Sequence, residues 1–212
     1  MAVYSCRNEV FRMDGASKQR VVDNYRNKLL KFKEGPAVGG WSLEGQLFRF
    51  ERLVRLGQLD NFKILDLGCG IGDFYTYLTG RYNKIRYTGI DIVPELIAYA
   101  KDIYPNANFL CHDILQTDPI DNFDYAFISG MFNNGEISNC TAFLKKIVAT
   151  AFQHCSRGLA FNFISTYVNY SDSEMAYHDP VEIFDFCRFE SLFKFIFIYF
   201  TKYIFERMVI LL

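Results

Sequence analysis

Three glycines and a set of carboxylates carry most of the chemistry this sequence can offer. The stretch Lys63-Ile64-Leu65-Asp66-Leu67-Gly68-Cys69-Gly70-Ile71-Gly72-Asp73 opens with an apolar run, Ile64 to Leu67, that reads as a short buried strand. Glycines follow at positions 68, 70 and 72, and a helix-like stretch starts at Asp73. Missing side chains beside a helix N-terminus let a flat or charged ligand reach the backbone N–H groups. Asp66 adds a carboxylate where the turn begins. A dinucleotide fingerprint would place its third glycine where Asp73 stands. An acid there opposes a pyrophosphate, so a cation-bearing ligand without phosphate suits the pattern better. A further acid, Asp91, follows Gly72 by 19 residues, at the end of the run Ile85 to Ile90. A carboxylate so placed can accept hydrogen bonds from both vicinal hydroxyls of a ribose, each worth about 1.5–3 kcal/mol when charge-assisted. Two plainer readings stand beside these: a purely structural glycine turn, and Asp91 as a helix-capping carboxylate ahead of Pro94.

Asp66 to Gly72, D-x-G-x-G-x-G, resembles motif I of the class I S-adenosylmethionine-dependent methyltransferases. The likeness extends over about residues 41 to 165. It implies that the turn Gly68, Cys69, Gly70 and Gly72 packs against the amino-acid part of a positively charged sulfonium cofactor, with Asp66 at its start. Asp91 resembles the ribose acid of motif II, with Ile92 against the adenine. Asp113 and Ile114 match the acid that bonds the adenine amino group and the residue that covers the ring. After the fourth strand, Ser129, Gly130 and Met131 would flank the cofactor. Trp41, the only tryptophan, matches a lid residue, with simple packing as the alternative. The implied cofactor is S-adenosylmethionine, with S-adenosylhomocysteine as its product.

The elements that must hold these groups follow in order. A helix is expected from Ser17, as N-cap, to Phe32, with Val22, Tyr25, Leu29 and Phe32 on one stripe. Its lysines and arginines read as a solvated face or as the approach of an acidic substrate. The breaker-rich loop Gly35 to Gly40 leads to a second helix, Leu43 to Leu56, with Leu47, Phe50 and Val54 inward and Gly57 as terminator. Strands are expected at 64–67, 85–90, 107–111, 123–128 and 158–164, with helices at 73–79, 94–103 and 139–154. Asp124 reads as structural. The polar loop Ser165 to Asp179, with Tyr167, Tyr170, Tyr177 and His178, reads as a substrate loop, and a helix follows at 181–189. The Phe-rich end, with Leu192–Phe200 and Tyr203–Leu211, reads as a sheet-closing hairpin or as an exposed apolar tail.

The expected fold is α/β: a doubly wound, mostly parallel Rossmann-like sheet of about seven strands, with helices on both faces and N-terminal lid helices. At 212 residues it fits a single methyltransferase domain: lid helices 1–58, cofactor-binding core 59–165, and substrate loop with closing segment 166–212. A net charge of −1 and an isoelectric point near 6.3 give no reason to expect nucleic acid as a partner. Six cysteines without C-x-x-C spacing make a metal site or a redox pair unexpected. The first fifteen residues lack a signal-peptide core, and the charges of the apolar end argue against a membrane span, so a cytoplasmic setting is expected.

The activity these features imply is methyl transfer to an unidentified small-molecule acceptor. Within the class, a protein or RNA methyltransferase is the alternative, hinted at by the basic first helix. An NAD(P)-dependent oxidoreductase and a non-catalytic cofactor-binding protein are alternatives outside it. No residue stands out as a catalyst. Asn133 and Asn134 are the polar candidates for touching substrate, with a plain turn as the alternative for both. His178 is a candidate base, with a surface histidine as its alternative. His112 reads as a satisfied or exposed histidine.

Overall fold

The structure, a computed structural model, describes residues 13–116, 121–169, 171–189, 197–200 and 207–211. Two helices, α1 (Gly15–Phe32) and α2 (Leu43–Leu53), precede alternating strands and helices. These are β1 (Lys63–Leu67), α3 (Asp73–Thr79), β2 (Arg86–Asp91), α4 (Pro94–Ile103), β3 (Asn108–Cys111), β4 (Phe123–Ile128), α5 (Cys140–Gln153), β5 (Cys155–Ile164) and α6 (Pro180–Phe189). The strands β6 (Phe197–Phe200) and β7 (Arg207–Leu211) close the chain.

All seven strands form one sheet in the order β3-β2-β1-β4-β5-β7-β6. The first five pair in parallel; β7 pairs antiparallel with both β5 and β6. Strand order reverses between β1 and β4, and at such a reversal the crossovers leave opposite ways and open a crevice at the strand C-termini. Asp66 and the glycine turn lie at that point.

Alternation along β1 divides the core. Leu65 and Leu67 join one cluster with Ile128, Phe161 and Phe163 against Leu144, Ile147 and Val148 of α5 and Ile183 of α6. Ile64 joins the other, with Tyr87, Phe127 and Ala160 against Phe50 and Leu53 of α2, Phe74 and Leu78 of α3 and Ile97 of α4. Strands buried on both faces read as continuous apolar runs, which is why β1 and β4 are legible in the sequence.

Several local expectations need correction. Helix α1 is capped by Asp14, not Ser17: the Asp14 carboxylate accepts the Ser17 N–H at 2.8 Å and the Ser17 hydroxyl at 2.7 Å. Those bonds pull its pKa down to about 2. The second helix ends at Leu53 and tightens into a 3-10 turn over Val54–Leu56. Its buried stripe is Gln46, Arg49, Phe50 and Leu53, one residue out of phase with the expected one, and Leu47 is exposed. Strand β5 starts at Cys155 rather than Gly158, because Cys155 already pairs with Phe123 across a register shift. The Phe-rich end supplies two paired strands rather than an apolar tail at 197–200 and 207–211. The rest of the expected hairpin, with its turn, lies outside the described residues, as do Tyr170 and Cys6.

Candidate active site

The glycine turn is tied to β2 from two sides. The N–H groups of Gly68 and Cys69 both donate to the Ile90 carbonyl, at 2.8 and 3.1 Å. The Gly70 N–H donates to one Asp91 oxygen at 3.0 Å, and the other accepts the Val93 N–H at 3.0 Å. Each carboxylate oxygen has a second lone pair, so both can still serve a ligand hydroxyl. Asp91 therefore braces the turn and leaves the α4 N-terminus uncapped by any side chain.

The three glycines have different reasons to be glycine. All have positive φ, at 74°, 56° and 92° for Gly68, Gly70 and Gly72. A Cβ on Gly70 would meet nothing within 4 Å. A Cβ on Gly68 would sit 2.8 Å from Met131 Cε, and one on Gly72 would sit 2.9 Å from the Tyr104 ring. Gly70 thus leaves a space for a ligand, whereas Gly68 and Gly72 admit protein side chains. Gly72 does not line the pocket, contrary to its place among the expected contacts.

That pocket lies between the strand ends and the N-terminal helices. Its floor is Asp66, Gly68, Cys69, Gly70 and Ile71; one flank is Asp91, Ile92, His112, Asp113 and Ile114; the opposite flank is Ser129, Gly130 and Met131. Tyr25, Val38, Trp41, Gln46, Arg49 and Phe50 cover it from α1, α2 and the segment between them, with Met13 from just ahead of α1. The fold thus brings together every expected site residue except Gly72, Asn133 and His178. Trp41 stands over Gly130, where an added Cβ would come within 3.0 Å of the indole.

Charge is arranged unevenly around this space. Asp66 is 2% exposed and accepts the Tyr87 hydroxyl at 2.6 Å. Burial pushes its pKa up to about 7, with the Tyr87 bond opposing and Asp91 and Asp73 adding to the rise. Burial likewise raises Asp91 and Asp73, the latter against the Gln46 amide that donates to it at 2.8 Å. Burial holds the Cys69 thiol well above its usual value, so it sits in the wall as an unreactive thiol. Asp113 pairs with Lys18 of α1 at 2.8 Å and accepts the Leu115 N–H at 3.0 Å.

Arg49 is the residue that reading the sequence missed. It is 2% exposed, lines the pocket and donates through Nη1 to the Gly45 carbonyl at 3.0 Å. Its guanidinium carbon lies 3.8 Å from the centre of the Trp41 ring. A buried arginine is expensive unless an anion or hydrogen bonds offset the lost hydration. The signal was available: Gln46, Arg49, Phe50 and Leu53 recur at helical spacing on one face, and two of the four are polar.

The two candidate catalysts lie elsewhere. His178 is fully buried rather than on the surface. Its Nε2 lies 2.9 Å from the Phe132 carbonyl, which can only accept, so Nε2 carries the proton; Nδ1, 3.1 Å away, then accepts the Thr141 hydroxyl. Burial lowers its pKa, so the neutral ring is favoured. Asn133 is 3% exposed and absent from the pocket lining, where its neighbour Asn134 stands instead. Asp124 accepts the Lys63 N–H at 2.9 Å and faces Arg157, the structural role expected of it.

A sequence profile for the methyltransferase domain matches residues 64–151. A Mycobacterium tuberculosis protein assigned as a methyltransferase is 35% identical over 137 residues, 61% of this chain and 80% of that one. The chain belongs to the class I S-adenosylmethionine-dependent methyltransferases. Trans-aconitate 2-methyltransferase of Escherichia coli is 38% identical over 78 residues, 36% of this chain but only 31% of the relative's length. Among solved structures, the magnesium protoporphyrin IX methyltransferase of Synechocystis with bound S-adenosylmethionine superposes with a TM-score of 0.67 at 14% identity, covering 94% of this chain and 97% of that one. That likeness is one of fold.

The methyltransferase pocket fits its cofactor, S-adenosylmethionine, in three respects. Gly70 leaves a space where a Cβ would project. The flank of Asp91, Ile92, Asp113 and Ile114 offers paired carboxylates beside apolar walls, as a nucleoside requires. Acids at Asp66 and Asp73 and a cation at Arg49 line the same pocket, a charge set that suits a zwitterionic amino-acid group.

Proposed function

We propose that this methyltransferase acts on a small, negatively charged acceptor, and that its cofactor lies along the pocket from Asp113 to Arg49. The observation that carries this reading is the shape and charge of that pocket, a glycine-floored space roofed by α1 and α2. In it Asp91 accepts the ribose hydroxyls and Asp113 the adenine amino group, with Ile92 and Ile114 against the ring. Arg49 grips the carboxylate of the methionyl arm. Ser129, Gly130 and Met131 form the wall beside the sulfur.

When bound, S-adenosylmethionine supplies an electrophilic methyl group on a sulfonium leaving group. What the chain adds is alignment and exclusion of water. The turn backbone and the two acids fix one end, and Trp41 and Met131 close the other. Such alignment is worth on the order of 7–11 kcal/mol. An anionic acceptor needs no dedicated base, in keeping with the structural role of His178.

The anionic acceptor is supported by a groove on the far side of Trp41. Arg20, Lys28 and Lys31 line it together with Asp23 and Glu136. Burial lowers the Lys28 pKa, and its ammonium sits 4.8 Å from the centre of the Tyr25 ring. The trans-aconitate relative takes its name from an anionic small molecule. A protein or RNA acceptor has only the basic face of α1 in its favour.

Calorimetric titration with S-adenosylmethionine, S-adenosylhomocysteine and NADH tests the cofactor, and binding of NADH alone overturns it. Arg49→Met is expected to weaken S-adenosylhomocysteine by roughly tenfold or more through loss of a charge-assisted bond. It should leave 5′-methylthioadenosine, which has no carboxylate, unchanged. An equal loss for both ligands would place the carboxylate elsewhere.

A further inference from the structure

The wall formed by Gly130 and Met131 is built on a short turn with no regular element to stiffen it. Ser129 and Gly130 leave β4, Gly130 at a φ of 78°, and a 3-10 turn covers Met131–Asn133. This turn presses on both sides of the pocket. Met131 Cε lies 2.8 Å from where a Gly68 Cβ would stand, and Gly130 lies against the Trp41 ring. Its own backbone is held from behind. The Gly130 N–H donates to Asn162 Oδ1 of β5 at 2.9 Å. The Phe132 carbonyl accepts from His178 at 2.9 Å, and the Asn133 carbonyl accepts the Ala176 N–H at 3.1 Å.

We propose that His178 is a positioning residue for cofactor binding: its Nε2–H latches the Phe132 carbonyl and thereby sets Met131 and Gly130 against the glycine turn. The ring is locked for this task. The Phe132 carbonyl can only accept, which selects the Nε2–H tautomer, and Nδ1 then accepts the Thr141 hydroxyl of α5 and holds the ring in plane. Phe163 packs edge-on with its centroid 5.7 Å away. The main chain of His178 is fixed as well, donating to the Ile164 carbonyl at 2.9 Å and accepting the Thr166 N–H at 3.0 Å. The expected substrate loop, Ser165 to Asp179, thus meets the cofactor wall at two successive carbonyls, Phe132 through the imidazole and Asn133 through the Ala176 N–H. This rests on the cofactor reading given above.

Two isosteric substitutions separate the latch from plain packing. A glutamine amide reaches the place of Nε2; an asparagine amide reaches only that of Nδ1. His178→Asn is expected to weaken S-adenosylhomocysteine by roughly tenfold, the worth of one buried hydrogen bond. It should also shift the emission of Trp41, the only tryptophan, as Gly130 moves off the indole. His178→Gln should restore both to near the parent values. Equal affinity and emission in the two variants would overturn the latch, as would parent-like binding in His178→Asn. Should neither variant fold, ring-nitrogen NMR of the parent decides: a neutral Nε2–H tautomer at pH 7 supports the latch, and an Nδ1–H tautomer overturns it. A parent protein that fails to bind S-adenosylhomocysteine sinks the cofactor reading and the latch together; a binding parent with indistinguishable variants sinks the latch alone.

Discussion

Asp66 ends a chain of causes that begins with its neighbour across the sheet. Strand pairing sets Asp66 beside Gly89, and Tyr87, two residues earlier on β2, sends its hydroxyl to the Asp66 carboxylate. One hydrogen bond does not replace the water lost, so the folded-state pKa rises to about 7. A carboxyl with a raised folded-state pKa is stabilised in its protonated form. Its contribution to stability is fully present below the unfolded value near 3.9 and is lost as pH rises toward 7, a loss on the order of 4 kcal/mol. Asp66→Asn keeps an acceptor for Tyr87 and removes the charge. It is expected to be more stable than the parent at pH 7 to 8, with the advantage vanishing near pH 4. Urea unfolding across that range would check this, and a pH-independent difference would refute it. Glycine identity is equally specific to place. Of the three turn glycines only Gly70 borders open space, and nothing within a few residues of the turn distinguishes it from Gly72, whose neighbours are Tyr104 and Phe109.

Helix α1 covers the pocket through contacts that differ from those of an ordinary core helix. Ser17 and Val21 are its buried residues, and Leu30 and Phe32 point to solvent. Ion pairs help fix its position: Lys18 meets Asp113 at the pocket wall, and Arg26 meets Glu95 on α4. Both are partly exposed, so each is worth at most about 1 kcal/mol and is screened by salt. Lys18→Ala is expected to weaken S-adenosylhomocysteine by about two- to fivefold at low ionic strength, with the difference shrinking at 1 M salt. Calorimetry at two salt concentrations reads this directly; a loss that persists at high salt would show that Lys18 acts by packing. Helix α2 is held differently. Phe50 and Leu53 anchor it in the core, and Arg49 and Gln46 share that face where it passes over the pocket.

Across the whole molecule, one sheet joins two apolar clusters, and the residues of β4 alternate between them. Phe127 is fully buried and packs edge-on against Phe74 at 5.2 Å between centroids, while Ile128 points to the α5 side. Removing Phe127 therefore empties space at the centre of the sheet, where collapse is hardest. Phe127→Ala is expected to lower stability by about 3–5 kcal/mol and to leave a single unfolding transition, since both faces share the strand. Thermal unfolding followed by tryptophan fluorescence and by far-UV circular dichroism would check it; separated transitions would mean that the clusters unfold independently.

The sequence alone determined the order of strands and helices, the parallel α/β class and the place of the glycine turn. Those follow from local patterns: apolar runs of strand length, glycines, prolines, and an acid at or just after the end of each of the first three strands. It also marked Asp66, Asp91 and the stretch Ser129 to Met131, because strand C-termini in a parallel sheet converge on one edge, and Asp113 through its resemblance to the family's pattern. It did not place Arg49 in the pocket wall, since a shift of one residue in the phase of α2 exchanges Leu47 for Gln46 on the inner face. Nor did it bury His178, whose partners Phe132 and Thr141 lie 46 and 37 residues away. Burial and partner choice over such separations arise only when the elements pack, because the energies that decide them come from desolvation and contact and are not stored in any short stretch of chain.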